Sequence, residues 1–356
     1  MTVKSQTPPQ PLKVAIIGGG PGGLGAAIEF GKLHYVDWTL YEKKPQISET
    51  GGGISLQRHT WRLLELNGAA KNIHPSDYFR SPDGTSGQQR NGRTGKLLEQ
   101  SSHPKDTPPQ QLSCRMVRAK LQAALLKDVD QSRIKTSKKL TDILVLPSGK
   151  VEIRFEDGLT DEVDLLVGAD GIRSEQVSWG RPFDFSTIAS EYDEFCEPVR
   201  KVIQLAAQGK TQEFALFSGA RLESVISHGS LALIGDASHP LSGAFGAGAG
   251  FALEDVFALT RSIDWAHQNA KGLPAALELY DRIRSPHYRD LYGVLDNFAA
   301  LNSALLAENL PVNEEIEERV RRAGESKSTW MYHYEIDKAV DKLLGSAGQL
   351  DQVAAA

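Results

Sequence analysis

An α/β fold built on a parallel sheet is what this sequence predicts, and three observations predict it. Apolar, β-branched runs at residues 12–17, 36–41, 163–167 and 231–234 each stop at a glycine or an acid. Helix-spaced apolar residues follow the first of these runs and the last. From residue 273 onward the pattern is helical almost to the end, punctuated by Pro286 and Pro311. Strands that alternate with helices pair in parallel, with their carboxyl ends along one edge.

The first run, Leu12-Lys13-Val14-Ala15-Ile16-Ile17, leads directly into Gly18-Gly19-Gly20-Pro21-Gly22-Gly23. In this G-x-G-x-x-G order Gly18 permits a tight turn and Gly20 lets backbone approach a pyrophosphate. Gly23 lets the following helix pack close to the strand. The helix expected over residues 22–34 aims its N-terminal N–H groups at the phosphates, where its dipole favours negative charge. The second run ends at Glu42, 22 residues beyond Gly20. A carboxylate there accepts both ribose hydroxyls of an adenosine and repels a 2′-phosphate. Strand, glycine turn, helix and acid together predict a bound adenine dinucleotide.

Gly51-Gly52-Gly53-Ile54-Ser55-Leu56 then forms a loop into an amphipathic helix ending before Gly68. Gln57, Arg58 and His59 fall at its N-terminus, where a solvent-facing position explains them without a role, although substrate contacts could begin there. Residues 75–111, rich in Ser, Pro, Gly, Gln and Arg, read as irregular structure or an excursion from the main domain. Helical spacing resumes at Leu121, Ala124, Leu125 and Val129. Residues 140–146 and 151–155 flank a Pro147-Ser148-Gly149-Lys150 turn and predict a hairpin. The strand at 163–167 ends at Gly168-Ala169-Asp170-Gly171-Ile172-Arg173-Ser174. The strand at 231–234 ends at Gly235-Asp236-Ala237-Ser238-His239-Pro240, followed by a Gly/Ala loop opening a helix over residues 250–263. Small residues there leave amides bare for a flat ring or a phosphate.

Composition bounds the function. At 356 residues there is room for two compact units, and 40% hydrophobic with 24% charged residues is a globular balance. A net charge of −5 with no basic block argues against nucleic acid as a partner. Residues 1–11 lack a secretory apolar region, and no run has the length of a membrane span. Cys114 and Cys196 lack metal-ligand spacing, so neither metal nor disulfide is expected, and a cytoplasmic location follows by elimination.

The order G-x-G-x-x-G, acid after strand two, G-A-D-G-x-R-S and G-D-A-x-H-P with its Gly/Ala loop resembles the FAD-dependent aromatic hydroxylases, single-component flavoprotein monooxygenases. It is most similar to their salicylate-hydroxylase-like branch, in its fungal form. Glu49-Thr50-Gly51-Gly52-Gly53-Ile54, Val117-Arg118-Ala119-Lys120-Leu121, the run from Phe245 to Asp255, and the tail Trp330-Met331-Tyr332-His333-Tyr334-Glu335-Ile336-Asp337 carry the likeness. The resemblance implies an FAD/NAD(P)-binding Rossmann-like three-layer domain over 12–74, 112–174 and 231–270. A second, curtailed mixed-sheet substrate domain takes 75–111 and 175–230, and a helical region takes 271–356.

It further implies FAD as cofactor, with NADH or NADPH as transient reductant, and hydroxylation of a salicylate- or phenol-like molecule through a flavin hydroperoxide. The cofactor residues it implies are Gly18, Gly20, Gly23, Glu42, Gly52, Gly53, Arg118, Asp170, Asp236, Gly248 and Ala249. Plainer roles stay open: Asp170 as a cap, Arg173 in a surface ion pair, His239 shaping its loop rather than acting as a base, and Trp330 as a packing anchor. The sequence departs from the family in one place. Asp170 and Gly235 stand 65 residues apart, about half the family spacing, so the first strands after Ser174 are expected to be missing. Their loss exposes the flavin to water, which favours the alternatives of an uncoupled NAD(P)H oxidase or a catalytically silent flavin-binding protein.

Overall fold

Five parallel strands and one antiparallel edge strand form the central sheet. The computed structural model describes residues 10–49, 52–171, 179–209, 211–214, 219–241, 245–325 and 330–354. Residues 50–51, 172–174 (with Arg173), 215–218 and 242–244 of the motifs above lie outside them.

In chain order the first elements are β1 (Leu12–Ile17), α1 (Pro21–Gly31), β2 (Val36–Tyr41), β3 (Gly53–Leu56) and α2 (Arg58–Asn67). Then come β4 (Tyr78–Phe79), β5 (Thr85–Arg90), β6 (Leu97–Ser102), β7 (Cys114–Val117) and α3 (Arg118–Leu126). Strands β8 (Ile134–Lys135), β9 (Leu140–Val145), β10 (Val151–Phe155), β11 (Thr160–Val163) and β12 (Leu165–Gly168) follow. Next are β13 (Trp179–Pro182), α4 (Glu197–Ala207), β14 (Gln212–Phe214), β15 (Ile226–Ser227) and β16 (Leu231–Leu233). The rest is helical: α5 (Gly248–Gln268), α6 (Leu273–Glu308), α7 (Val312–Glu325) and α8 (Ile336–Ala354).

The central sheet runs β15-β16-β12-β1-β2-β8, with only β15 antiparallel to its neighbour. Alternation along β1 makes three layers. Val14 and Ile16 face a core shared with α1 and α5, while Ala15 and Ile17 face the antiparallel meander β11-β10-β9 through Val151, Ile153 and Phe155. Burial on both faces explains why these strands read as continuous apolar runs.

Two expectations need correction. Residues 75–111 are not irregular throughout, because β5 and β6 form an antiparallel hairpin. Neither of its faces is buried, so its polar sequence has no alternation to reveal it. Pro286 does not interrupt α6, which runs 36 residues through it. An interior proline costs about 3 kcal/mol. Burial of Ile283, Arg284, His287, Tyr288 and Leu291 around that point supplies the compensating packing. Between Asp170 and β15, the described strands are only β13 and β14, a two-stranded sheet.

Candidate functional site

The site lies along the carboxyl ends of β1, β2, β12 and β16. Gly18 turns the chain at φ +112°, and a Cβ there would strike the Ala169 carbonyl. A Cβ on Gly23 would overlap the Gly18 carbonyl oxygen, so only glycine lets α1 lie this close to β1. A Cβ on Gly20 would meet nothing within 4 Å. Gly20 is also the N-cap of α1 and offers its first-turn N–H groups no side-chain cap. Glu42 is tied into this turn: its Oε2 accepts from the Gly19 N–H at 2.7 Å and its Oε1 from the Lys44 N–H at 2.8 Å. Each carboxylate oxygen keeps a second lone pair for a hydroxyl. Gln122 on α3 closes the turn from below, donating to the Gly19 carbonyl at 3.0 Å.

Gly52 opens on nothing within 4 Å, and its carbonyl accepts from the Arg118 N–H at 3.0 Å, fastening the glycine loop to the start of α3. The Arg118 guanidinium stands 3.4 Å from Glu49 Oε2, yet its buried Nε makes no hydrogen bond. Gly53 pairs with Val117 across β3 and β7. Asp170 follows β12 directly against Gly18.

Asp236 sits just past β16, in the turn Gly235–Ala237. No described residue hydrogen-bonds its carboxylate. Burial pushes its pKa up, and the Arg118 charge opposes that rise. A Cβ on Gly248 would lie 3.5 Å from Asp236 Oδ1, so the carboxylate adjoins the first turn of α5. That turn is exposed at Gly248, carries Ala249 next, and has no side-chain cap at Ala247. Bare amides, an open glycine cradle, an orphaned guanidinium nitrogen and an unbonded carboxylate together fit an anionic dinucleotide with a polar chain and a flat ring.

His59 corrects its expectation. Instead of facing solvent, it is buried between Phe251 and Tyr332. A Cβ on Gly250 would collide with its ring, so the N-terminus of α2 packs directly on the first turn of α5. Burial lowers its pKa to about 4, leaving the ring neutral, with Nδ1 3.3 Å from the Tyr332 carbonyl. The Tyr332 hydroxyl donates to the Phe245 carbonyl at 2.9 Å, so the C-terminal segment holds the Gly/Ala loop in place. Trp330 packs edge-on against His287.

Behind the Asp236 turn lies a polar cluster that no local motif announced. Asp255 Oδ2 accepts from the Gly235 N–H at 2.8 Å, and its Oδ1 accepts from Arg284 Nε and the Tyr288 hydroxyl, both at 2.6 Å. Arg284 is fully buried, with Nη1 3.0 Å from Glu254 Oε2. Burial raises both carboxyls, Glu254 to about 8. Three donors on Asp255 favour its ionised form, so the single guanidinium charge is matched there and Glu254 holds a proton at neutral pH. His239 stacks on Tyr288 and bonds Ser238. Burial and the Arg284 charge hold it well below the usual histidine range. Its geometry is that of a loop-shaping residue. The only sequence signal for this cluster was a pair of acids, Glu254 and Asp255, on a helix otherwise apolar enough to be buried.

Among the described residues no His/Cys/Asp/Glu group could hold a metal ion, and no helix is long and apolar enough to cross a membrane. The FAD binding domain family model matches residues 11–193. A salicylate hydroxylase of Pseudomonas putida is 22% identical over 431 aligned positions, covering 92% of this chain and 93% of that enzyme. Those positions outnumber the residues of this chain, so that enzyme carries segments with no counterpart here. A 6-methylsalicylate 1-monooxygenase of Aspergillus terreus is 31% identical over 179 residues, covering 46% of this chain and 38% of that enzyme. Among solved structures, a salicylate hydroxylase substrate complex superposes with a TM-score of 0.73 at 18% identity, covering 94% of this chain and 98% of the other. HpxO of Klebsiella pneumoniae complexed with FAD and uric acid superposes with a TM-score of 0.66 at 18% identity, over 94% and 96% of the two chains. The chain belongs to the FAD binding domain family, and within it to the FAD-dependent aromatic hydroxylases.

Proposed function

We propose that this chain is an NAD(P)H-consuming, FAD-dependent monooxygenase that hydroxylates a small salicylate- or phenol-like aromatic. The observation that carries the reading is the alignment of an open glycine turn, Glu42 and the Asp236–Gly248 corner along one edge of a single parallel sheet. When bound, FAD supplies the redox and oxygen-activating chemistry. The first-turn amides of α1, with Gly18, Gly20 and Gly23 shaping the turn, receive the pyrophosphate. Glu42 takes the adenosine ribose hydroxyls on its remaining lone pairs, and Asp170 supports both FAD and the transient nicotinamide. Asp236 takes the ribityl chain. The amides of Gly248 and Ala249 meet the pyrimidine edge of the ring, where the α5 dipole favours developing negative charge. Arg118, Gly52 and Gly53 would lie near the flavin.

The residue ranges 12–74, 112–174 and 231–270 form the cofactor-binding unit in this reading. Residues 75–111 and 175–230 form the shortened substrate unit, and 271–356 the helical one. A cytoplasmic location fits a reductant-consuming enzyme with two free cysteines.

A second reading is favoured by one observation, the two-stranded β13–β14 sheet where the family spacing calls for more. With less cover, water would reach the ring, and the two electrons of NAD(P)H would pass to O₂, which leaves as hydrogen peroxide. Well-oriented reactants gain up to ~7–11 kcal/mol over free encounter. Losing ~3 kcal/mol of that slows oxygen transfer more than a hundredfold. The test is the ratio of peroxide to hydroxylated product, with salicylate and phenol offered in turn. A ratio near zero supports a closed site and rejects the second reading; peroxide alone, with every aromatic, rejects the first.

A further inference from the structure

Helix α6 grips the strand that leads to Asp236 at three levels, all from one of its faces. Asp281 Oδ1 accepts from the Val225 N–H and the Ser224 hydroxyl, both at 2.8 Å, at the entry to β15. The Tyr280 hydroxyl donates to the Leu233 carbonyl at 2.7 Å, at the end of β16. Arg284 and Tyr288, on the following turns of the same face, meet Asp255, which in turn holds the Gly235 N–H. Strands β15 and β16 have only two and three residues, and β15 is the sheet edge. Strand pairing alone therefore fixes the end of β16 weakly.

Asp255 is where this grip reaches the cofactor side. Its Oδ1 takes both donors from α6, while its Oδ2 takes the Gly235 N–H at 2.8 Å. His239 Nε2 stands 3.7 Å from Oδ2, beyond hydrogen-bond reach. Gly235 is buried at φ +59°, and a Cβ there would meet Ala252 at 3.0 Å, so the turn lies hard against α5. Ser238 closes it from the other end, its N–H at 2.9 Å and its hydroxyl at 2.8 Å both donating to the Gly235 carbonyl. Asp236 comes next, and the backbone of Gly235 decides where its carboxylate points. A buried N–H without an acceptor is costly, so a turn deprived of Asp255 shifts until water reaches it.

We propose that Asp255 is a positioning residue for the cofactor, holding the Gly235 N–H so that the Asp236 carboxylate is aimed at the ribityl chain before FAD arrives. Arg284 and Tyr288 act one step further back, by fixing Asp255. The assignment rests on the place given to Asp236 in the proposed function. Loss of the acceptor lowers the fraction of protein whose turn is competent to bind, and FAD affinity falls by the same factor. A competent fraction of about a tenth makes FAD binding about tenfold weaker.

The test compares two double variants of the full chain that both lack the buried ion pair: Arg284→Met with Asp255→Asn, and Arg284→Met with Asp255→Leu. Exchanging such a pair for uncharged residues is often neutral or stabilising, so both should fold. Asparagine still turns its amide oxygen to the Gly235 N–H and its NH₂ to the Tyr288 hydroxyl, whereas leucine offers no acceptor. Titration with FAD, followed by flavin fluorescence, should show the leucine form binding about tenfold more weakly than the asparagine form. With Asp236→Ala added to each, the two should bind FAD within about twofold of one another, because Asp255 acts through Asp236. Equal affinities for the first pair, or a tenfold gap that survives Asp236→Ala, would overturn the assignment; the second result would mark Asp255 as a general support of the fold. Unchanged FAD affinity for Asp236→Ala alone would instead remove the cofactor reading on which the assignment rests.

Discussion

Replacing Arg284 with methionine removes the only guanidinium from a cluster that holds two carboxyls out of water. Arg284 Nε lies 2.6 Å from Asp255 Oδ1, Nη1 3.0 Å from Glu254 Oε2, and Nη2 2.9 Å from the Tyr288 hydroxyl, all fully buried. Breaking one partner of a buried pair costs about 3–5 kcal/mol, because the remaining charge is left uncompensated. Glu254 is already neutral below about pH 8, so the loss falls on Asp255.

Without the cation, burial raises the Asp255 carboxyl further than in wild type. A raised carboxyl pKa contributes stability below the unfolded-state value and loses it as pH climbs through the folded-state value. The deficit of the variant should therefore be small near pH 5 and approach its full ~3–5 kcal/mol near pH 8. Urea unfolding of the FAD-loaded proteins, read by tryptophan fluorescence at both pH values, measures it. Asp255→Asn added to Arg284→Met should recover stability at pH 8, because an amide needs no counter-charge. A deficit under ~1 kcal/mol at pH 8, or one of equal size at both pH values, would refute the charge assignment.

The remaining predictions concern the cofactor site. Asp236→Ala should weaken FAD binding about ten- to a hundredfold, the worth of a lost carboxylate hydrogen bond of ~1.5–3 kcal/mol. Asp170→Ala should weaken it less; equal dissociation constants for wild type and Asp236→Ala would remove Asp236 from the site. Gly23→Ala sets a Cβ against the Gly18 backbone carbonyl, which cannot swing aside as a side chain could, and should destabilise by about 3 kcal/mol in urea unfolding. An unchanged midpoint would mean that α1 can withdraw from β1 freely. Glu42→Arg should reduce FAD retention through gel filtration, since it removes the ribose acceptor and the bond to the Gly19 amide. Full retention would place the adenosine elsewhere.

Local motifs were legible because strand, turn and acid are joined by short stretches of chain. Gly18, Gly23 and Glu42 are fixed by the geometry of two adjacent parallel strands, and the sequence spacing carries that geometry whole. What depends on helices meeting from far apart was not legible. His59 has the look of an exposed helix-start residue, and only the packing of α2 on Gly250 buries it. Arg284 lies 29 residues beyond Asp255, and nothing in the α6 pattern indicates which face turns toward α5. The β5–β6 hairpin escaped for the opposite reason: with both faces wet, its residues follow no hydrophobic period. Pro286 reads locally as a breaker, and only the burial on either side of it holds α6 continuous.

The most direct measurement of the central claim is the origin of oxygen in the product. The FAD-loaded enzyme is supplied with NADH or NADPH, an aromatic carboxylate and ¹⁸O₂ in unlabelled water, and the products are weighed by mass spectrometry. The expected product is hydroxylated and bears one ¹⁸O atom per molecule, even where peroxide consumes most of the reductant. Reduced nicotinamide oxidised with peroxide as the sole oxygen product, for salicylate and every related ring, would contradict it.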